Sequence, residues 1–199
     1  NATLAHARNV EHVDYEAVAH LKISALKAVF DVYDAKYLRK NTKQNKAFKA
    51  FVEAGGESLD MLAVYDALQS HLKAEGKESW GWPVFPKEYK DYHNPAVAKF
   101  KKANEQDVKF YLFLQWIAAQ QLEAASNKAT EAGMTIGLYR DLAVGVSEGS
   151  AEIWGNKDLY CTDASVGALP DILGPLGQNW GLPPMDPRKL YEQGYQPII

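Results

Sequence analysis

Apolar residues recur at helical spacing through most of residues 3–133. The first stripe follows Asp14, which suits a helix start because its carboxylate accepts the free amide hydrogens of the first turn. Its members are Val18, Leu21, Ala25, Val29 and Tyr33, and it is widened by Leu26, Phe30 and Tyr37. A stripe at the helical period predicts an amphipathic helix that packs on a core with this face.

More helices are predicted before Gly133. They cover about 45–54, 58–74, a short stretch that starts at Asn94-Pro95, and about 104–132. Gly55-Gly56 and Gly133 are predicted stops, because glycine adopts the backbone geometry that ends a helix. The segment 79–92 is crowded with tryptophan, tyrosine and proline. It predicts an ordered connection, since proline cannot continue a helix interior.

The pattern changes after Gly133. Residues 134–139 are an almost continuous apolar run, which predicts a strand of an α/β unit buried on both faces. The rest of the chain is rich in glycine and proline, and so long a loop region is typically functional or part of a larger unit. We therefore predict a tag remnant at 1–2, a helical part at 3–133, and a strand with a loop region at 134–199.

Composition and charge exclude several classes of function. The 199 residues are 47% hydrophobic and carry a net charge of −3. A packed core is therefore expected, and nothing indicates binding to nucleic acid or to an anionic membrane. The longest strongly apolar stretch, 110–119, is too short to span a bilayer, and no signal peptide is visible. The single cysteine, Cys161, excludes an intramolecular disulfide and fits a cytoplasmic location.

Asp141 is the first candidate for chemistry, because it follows the predicted strand almost directly. In a β/α barrel the active site lies at the C-terminal ends of the strands. The alternative is that this aspartate is a helix N-cap or a partner for Arg140. No spacing typical of metal ligands or of a nucleotide-binding loop occurs, so neither a metal nor a cofactor is predicted.

The segment 167–181 is the second candidate. It places Asp171, Gln178 and Trp180 in a glycine-rich frame. Carboxylates and amides pair with sugar hydroxyls, and an indole face covers the apolar side of a pyranose ring. The alternative is that Trp180 anchors the loop to a core.

The stretch 136–146 resembles a barrel strand of the amylomaltases and plant disproportionating enzymes, glycoside hydrolase family 77. Further stretches extend the resemblance in order and with matching spacing: 150–154, 165–168, 170–171 and 176–184. Val13-Asp14-Tyr15 and Phe113–Trp116 are similar in the helical part, and the details resemble the bacterial maltodextrin-pathway branch. The resemblance covers essentially the whole chain after its first two residues.

The resemblance implies a mainly α fragment of a (β/α)8 TIM-barrel enzyme, with a helical insertion, about one barrel strand and long loops. It implies a 4-α-glucanotransferase, which transfers α-1,4-glucan segments between maltodextrins by a retaining mechanism and without a cofactor. Positions in the family's motifs imply that Asp141, Asp171, Gln178 and Trp180 bind the substrate.

The family's catalytic carboxylates are expected to lie outside this chain. The nucleophile of the family precedes a histidine and its acid/base belongs to a Glu-Asp pair, but the chain contains neither an Asp-His nor a Glu-Asp dipeptide. We therefore expect an internal fragment that is inactive alone, with residues 134–199 rearranged, mobile or stabilised by self-association. The alternative is a non-catalytic helical carbohydrate-binding or interaction module.

Overall fold

The computed structural model of the protein describes residues 2–143 and 145–198. Its first part contains α1 (Ala2–Asn9), α2 (Tyr15–Tyr33), α3 (Lys43–Ala74), α4 (Pro95–Ala103) and α5 (Glu105–Glu131). A π-helical turn (Asp34–Leu38) follows α2, and two 3-10 turns (Trp82–Val84 and Lys87–Tyr89) lie between α3 and α4. The second part contains α6 (Ala151–Gly155), a 3-10 turn (Lys157–Leu159), β1 (Val166–Ala168), β2 (Gln178–Leu182) and α7 (Pro187–Glu192).

The predicted helix starts are confirmed where a side chain caps the first turn of the helix. The carboxylate of Asp14 accepts a hydrogen bond from the amide of Ala17 at 2.9 Å and caps α2. The side chain of Asn94 accepts from the amide of Ala96 at 2.9 Å and caps α4. The predicted stop at Gly55-Gly56 is a kink inside α3, where Gly56 takes a φ of +54° that favours glycine.

The core of the helical part lies between α3 and α5, with α2 packed beside them. Phe30 of α2 contacts Phe110 and Phe113 of α5, with ring centroids 5.5 and 5.3 Å apart. Phe48 of α3 meets Trp116 of α5 edge to face at 5.5 Å. Aromatic side chains from three helices therefore supply much of the apolar contact that stabilises this part.

The predicted helix after Asp14 is confirmed as α2, but only part of its apolar stripe packs on the core. Phe30 is the buried residue of α2, whereas Val29 is 56% exposed and Leu26 is 36% exposed. The helix contacts α5 along one edge and α1 near its start, and Val29 and Leu26 lie outside these contacts. A periodic pattern shows which face prefers burial, but a neighbouring element has to cover it.

The predicted strand at 134–139 is also wrong for this structure. These residues pair with no other strand among the residues described, and Ile136 and Tyr139 are 81% and 92% exposed. Leu138 and Arg140 instead line a groove beside the C-terminal half of α5. A strand buried on both faces requires hydrogen-bonded neighbours, and the described chain supplies none at this place.

The described strands form a two-stranded antiparallel sheet, β1 beside β2, further along the chain. The predicted boundary at 133/134 does not separate the cores, because Trp154 of α6 belongs to the same cluster as the helical residues. Its ring contacts Tyr65 and Tyr92 at 5.3 and 5.4 Å. Among residues 2–143 and 145–198, no helix is long and apolar enough to cross a membrane.

Candidate functional site

Residues 148–150 connect the helical part to the loop region through contacts with Gly149. The buried hydroxyl of Tyr65 donates a hydrogen bond to the carbonyl of Gly149 and accepts one from the amide of Trp82 at 3.2 Å. The indole of Trp82 donates to the carbonyl of Glu148 at 2.6 Å. A Cβ on Gly81 would lie 2.7 Å from the Cα of Gly149, so glycine is required for this backbone approach. These contacts fix the position at which helix α6 begins, directly after residue 150.

We expect Tyr65→Phe to lower the free energy of unfolding by about 1–2 kcal/mol, because it leaves a partly buried carbonyl and a partly buried amide without a partner. Urea unfolding followed by circular dichroism measures the change. Tyr111→Phe is the matched control: its hydroxyl contacts Ser70 at an exposed position, and less than about 1 kcal/mol is expected. Equal losses in the two variants would contradict a special role for the Gly149 contact.

Helix α6 and the turn after it form a base for the sheet. Tyr160 forms an isolated bridge with Met185, and the amide of Cys161 donates to the carbonyl of Pro184 at 2.9 Å. The hydroxyl of Tyr160 donates to the carboxylate of Glu152. Burial, helped by this carboxylate, raises the pKa of Tyr160, so the hydroxyl stays a donor at neutral pH. The base is therefore held both by backbone and by side-chain contacts.

The sheet is a hairpin whose register is irregular near its base. Val166 pairs with Leu182, and the next pair is Gly167 with Asn179. Trp180 and Gly181 therefore form a bulge on β2, and Gly181 takes a φ of +66° there. A Cβ on Gly167 would overlap the carbonyl oxygen of Gln178, so only glycine allows the strands to approach this closely.

Asp171 lies in the loop between the strands and organises its backbone. Its Oδ1 accepts hydrogen bonds from the amides of Leu173 and Gly174 at 2.9 and 2.5 Å. Its own amide donates to the carbonyl of Gly174 at 3.1 Å. One carboxylate oxygen is thus used to hold the turn, and Oδ2 has no hydrogen-bond partner among the described residues, which leaves it available to a ligand.

Gln178 and Trp180 form a directly bonded pair on the exposed hairpin. The indole nitrogen of Trp180 donates to Oε1 of Gln178 at 2.8 Å. The ring of Trp180 is 44% exposed and belongs to neither apolar cluster of the described residues, so it does not anchor the loop to a core. The hydrogen bond fixes the indole while the amide nitrogen of Gln178 still offers donors. An oriented ring beside amide donors is suited to a sugar.

Asp141 lies outside this pair and its loop. Its side chain is exposed, and it makes no hydrogen bond or ion pair with the other described residues. No helix starts at this position, so it is not an N-cap, and Arg140 does not pair with it. The structure therefore brings Gln178 and Trp180 together, places Asp171 in the loop that joins their strands, and leaves Asp141 apart from them.

Sequence reasoning missed the Tyr65–Gly149 contact, since only the folded chain brings these distant positions together. The Trp-Gly-Trp sequence at 80–82 was the available signal, because a glycine between two large aromatics indicates close backbone approach. No cluster of three or more potential metal ligands occurs among residues 2–143 and 145–198.

Comparison with known proteins first defines the class: the chain matches the model of a glycoside hydrolase family over residues 1–199. That family is family 77, described as 4-alpha-glucanotransferase, and the chain belongs to it. The 4-alpha-glucanotransferase of Haemophilus influenzae is 36% identical over all of this chain, and that of Mycobacterium tuberculosis is 33% identical over 97% of it. The chain spans only 29% and 25% of the lengths of these two relatives.

Solved structures agree with this assignment. The amylomaltase of Corynebacterium glutamicum matches 94% of the chain with a TM-score of 0.68 at 32% identity, and 23% of its own length is covered. The amylomaltase of Streptococcus agalactiae, solved in complex with acarbose, matches 92% with a TM-score of 0.77. At 17% identity, with 36% of its length covered, this second likeness shows the fold alone.

Proposed function

We propose that this chain is an internal part of a longer 4-α-glucanotransferase, in which it binds the glucan. The longer enzyme transfers α-1,4-glucan segments between maltodextrins with retention. The observation that carries this proposal is the exposed Gln178–Trp180 pair on a hairpin of a family 77 chain. The acarbose bound to the amylomaltase of Streptococcus agalactiae supports a saccharide ligand.

The roles we assign to the chain are those of binding and of covering the substrate. Retention requires a nucleophilic carboxyl and an acid/base carboxyl, and we place both outside these 199 residues. Trp180 supplies a face for a pyranose ring, while Gln178 and Asp171 offer a donor and an acceptor to its hydroxyls. A hairpin that covers the bound glucan would also exclude water and favour transfer to a sugar over hydrolysis.

Residues 134–139 have a further role in this proposal, as a strand of a TIM barrel in the longer enzyme. Their exposed apolar side chains, which include Met134 and Ile136, support this assignment because neighbouring strands would cover them. Asp141 would then lie at the end of that strand and face the substrate.

We also place the protein in the cytoplasm. The exposed free thiol of Cys161 favours the reducing environment of that compartment.

Disproportionation of maltotriose tests the proposal. We expect Trp180→Ala in the longer enzyme to lower kcat/KM at least tenfold, because it removes the stacking face and frees Gln178. Tyr191→Ala is the matched control, since Tyr191 is a 71% exposed aromatic on α7 outside the hairpin. Unchanged kinetics for Trp180→Ala would refute the binding role. Glucose release by the 199-residue chain alone would refute the placement of the catalytic carboxylates.

A further inference from the structure

Trp80 is a large aromatic residue on the surface of the helical part, and it belongs to no element of the hairpin. Its side chain is 57% exposed. It lies against Gly149, where a Cβ would come within 2.9 Å of the ring carbon Cζ3. The ring is therefore held against backbone at Cζ3 and Cε3, while more than half of the side chain faces solvent. An aromatic plane fixed in this way loses little conformational entropy when a ligand stacks on it.

Trp82 lies two residues further on, in the same segment between α3 and α4, and its side chain has a structural role. Its indole nitrogen donates to the carbonyl of Glu148, and the ammonium of Lys157 lies 4.3 Å from its ring centroid. Trp80 has no such ring contact, and its indole N–H has no acceptor among the described residues. The ring and N–H of Trp80 are thus free for a ligand, whereas those of Trp82 are occupied.

A groove with a volume of about 520 Å³ adjoins Trp80. This volume lies within the range of small-molecule sites. The other lining residues are polar: Gln69, Ser70, Lys73, Lys77 and Ser79. They come from the C-terminal turns of α3 and from the chain that follows it, so they converge on one side of the indole.

The polar groups of the groove are positioned and partly free. Nε2 of Gln69 donates to the carbonyl of Ser79 at 2.6 Å, which leaves Oε1 as an acceptor. The hydroxyl of Ser70 lies 2.5 Å from that of Tyr111. Acceptors and donors fixed beside an aromatic plane are what a neutral polyol needs.

The charges of the groove also favour a neutral ligand. Nζ of Lys73 lies 3.4 Å from a carboxylate oxygen of Glu16, and Nζ of Lys77 lies 2.8 Å from one of Glu75. Because each ammonium already has an acidic neighbour, the groove carries no uncompensated positive charge that would select a phosphate. The lysines still retain hydrogen-bond donors that can reach sugar hydroxyls.

We infer that Trp80 and this groove form a second binding site for α-1,4-glucan, on the helical part and separate from the hairpin. The inference rests on the proposed function for the class of ligand. A glucan held here would bring a long donor or acceptor to the enzyme at a place other than the Gln178–Trp180 pair. Substrates too short to occupy both sites would gain nothing from it.

The indole N–H signals of the 199-residue chain distinguish the two sites, because the sequence contains five tryptophans. Titration with maltoheptaose is followed in ¹H–¹⁵N correlation spectra, with the signals assigned by single Trp→Phe variants. We expect the signals of Trp80 and Trp180 to shift. Those of the buried Trp116 and Trp154 should stay in place and report that each variant is folded.

Two further variants test the groove itself. Ser70→Ala and Lys73→Gln should each weaken the response at Trp80 by about threefold or more and leave that at Trp180 unchanged. Lys99→Gln is the matched control, since Lys99 is an exposed lysine of α4 that does not line the groove; it should change neither response.

The outcomes separate this inference from the proposed function. A shift of Trp180 alone would overturn the second site and support the hairpin, whereas a shift of Trp80 alone would support the second site and refute the hairpin. If neither signal moves, both proposals are refuted. An equal response of Trp80 to inorganic phosphate would overturn the assignment of a neutral sugar.

Discussion

Replacing Asp34 with alanine is expected to lower the free energy of unfolding by about 3 kcal/mol, because it removes a buried carboxylate together with its hydrogen bonds to two cationic groups and one amide. Asp34 is fully buried in the π-helical turn after α2. Its carboxylate accepts from Lys109 and Arg39 at 2.6 Å each and from Gln106 at 2.9 Å. Urea unfolding followed by circular dichroism measures the loss.

The matched control for Asp34→Ala is Asp107→Ala, which breaks an exposed ion pair with Lys27 at 2.9 Å. Exposed pairs contribute little, so less than about 1 kcal/mol is expected. Similar losses for the two variants would show that Asp34 does not organise the junction of α2 and α5.

Acid should remove the stabilisation that the carboxylate of Asp34 provides through its hydrogen bonds. Burial by itself raises the pKa of this carboxyl, but the hydrogen bonds from Lys109, Gln106 and Arg39 outweigh it and hold the pKa below its usual value. The stabilisation is therefore present above the unfolded pKa of about 4 and is lost as the pH falls through the lower folded value. The Asp34→Ala variant should lack this part of the acid dependence.

Replacing Asp66 with asparagine is expected to act in the opposite direction and to raise the free energy of unfolding by about 2–3 kcal/mol at pH 7.5. Burial raises the pKa of Asp66 to about 6, so keeping the carboxylate ionised at neutral pH costs stability. The neighbouring hydroxyls do not titrate in this window, because burial raises the pKa of Tyr65 to about 12 and also raises that of Tyr111.

The strictest test of this prediction compares the free energy of unfolding of the parent chain and of Asp66→Asn across a range of pH. The folded pKa lies above the unfolded one, so the stability of the parent chain falls as the pH rises from about 4 to about 6. The difference from the asparagine variant should be absent below pH ~4 and complete above pH ~7. Asp60→Asn serves as a control that should lower the free energy of unfolding, since it weakens the hydrogen bonds of Asp60 with Lys101 and Tyr92. A gain from Asp66→Asn that did not depend on pH would contradict the argument.

Asp34 and Asp66 also show how charge is distributed in the helical part. Asp34 is buried but hydrogen-bonded to charged groups, and it stabilises the contact of α2 with α5. Asp66 has no such partner among the described residues, and burial alone raises its pKa. Asp66 lies one residue after Tyr65, which holds Gly149, and four residues before Ser70, which lines the Trp80 groove. The helix α3 therefore connects the core, the loop region and the proposed second sugar site.

The sequence by itself determined the features that depend on neighbouring residues. The caps at Asp14 and Asn94 follow from side chains that reach amides of the next turn. The break at Gly55-Gly56 follows from a backbone angle that glycine tolerates. The family, too, was readable from the order and spacing of short motifs after Gly133, and the match over residues 1–199 confirms it.

Only the tertiary structure decided which of these elements are covered and which side chains meet. The period of α2 could not say that Val29 stays exposed, and the apolar run at 134–139 could not say whether partner strands are present. The contacts of Tyr65 with Gly149 and of Trp80 with Gly149 join positions far apart in the chain. Burial and pairing depend on what lies opposite a residue in space, and local sequence does not contain that information.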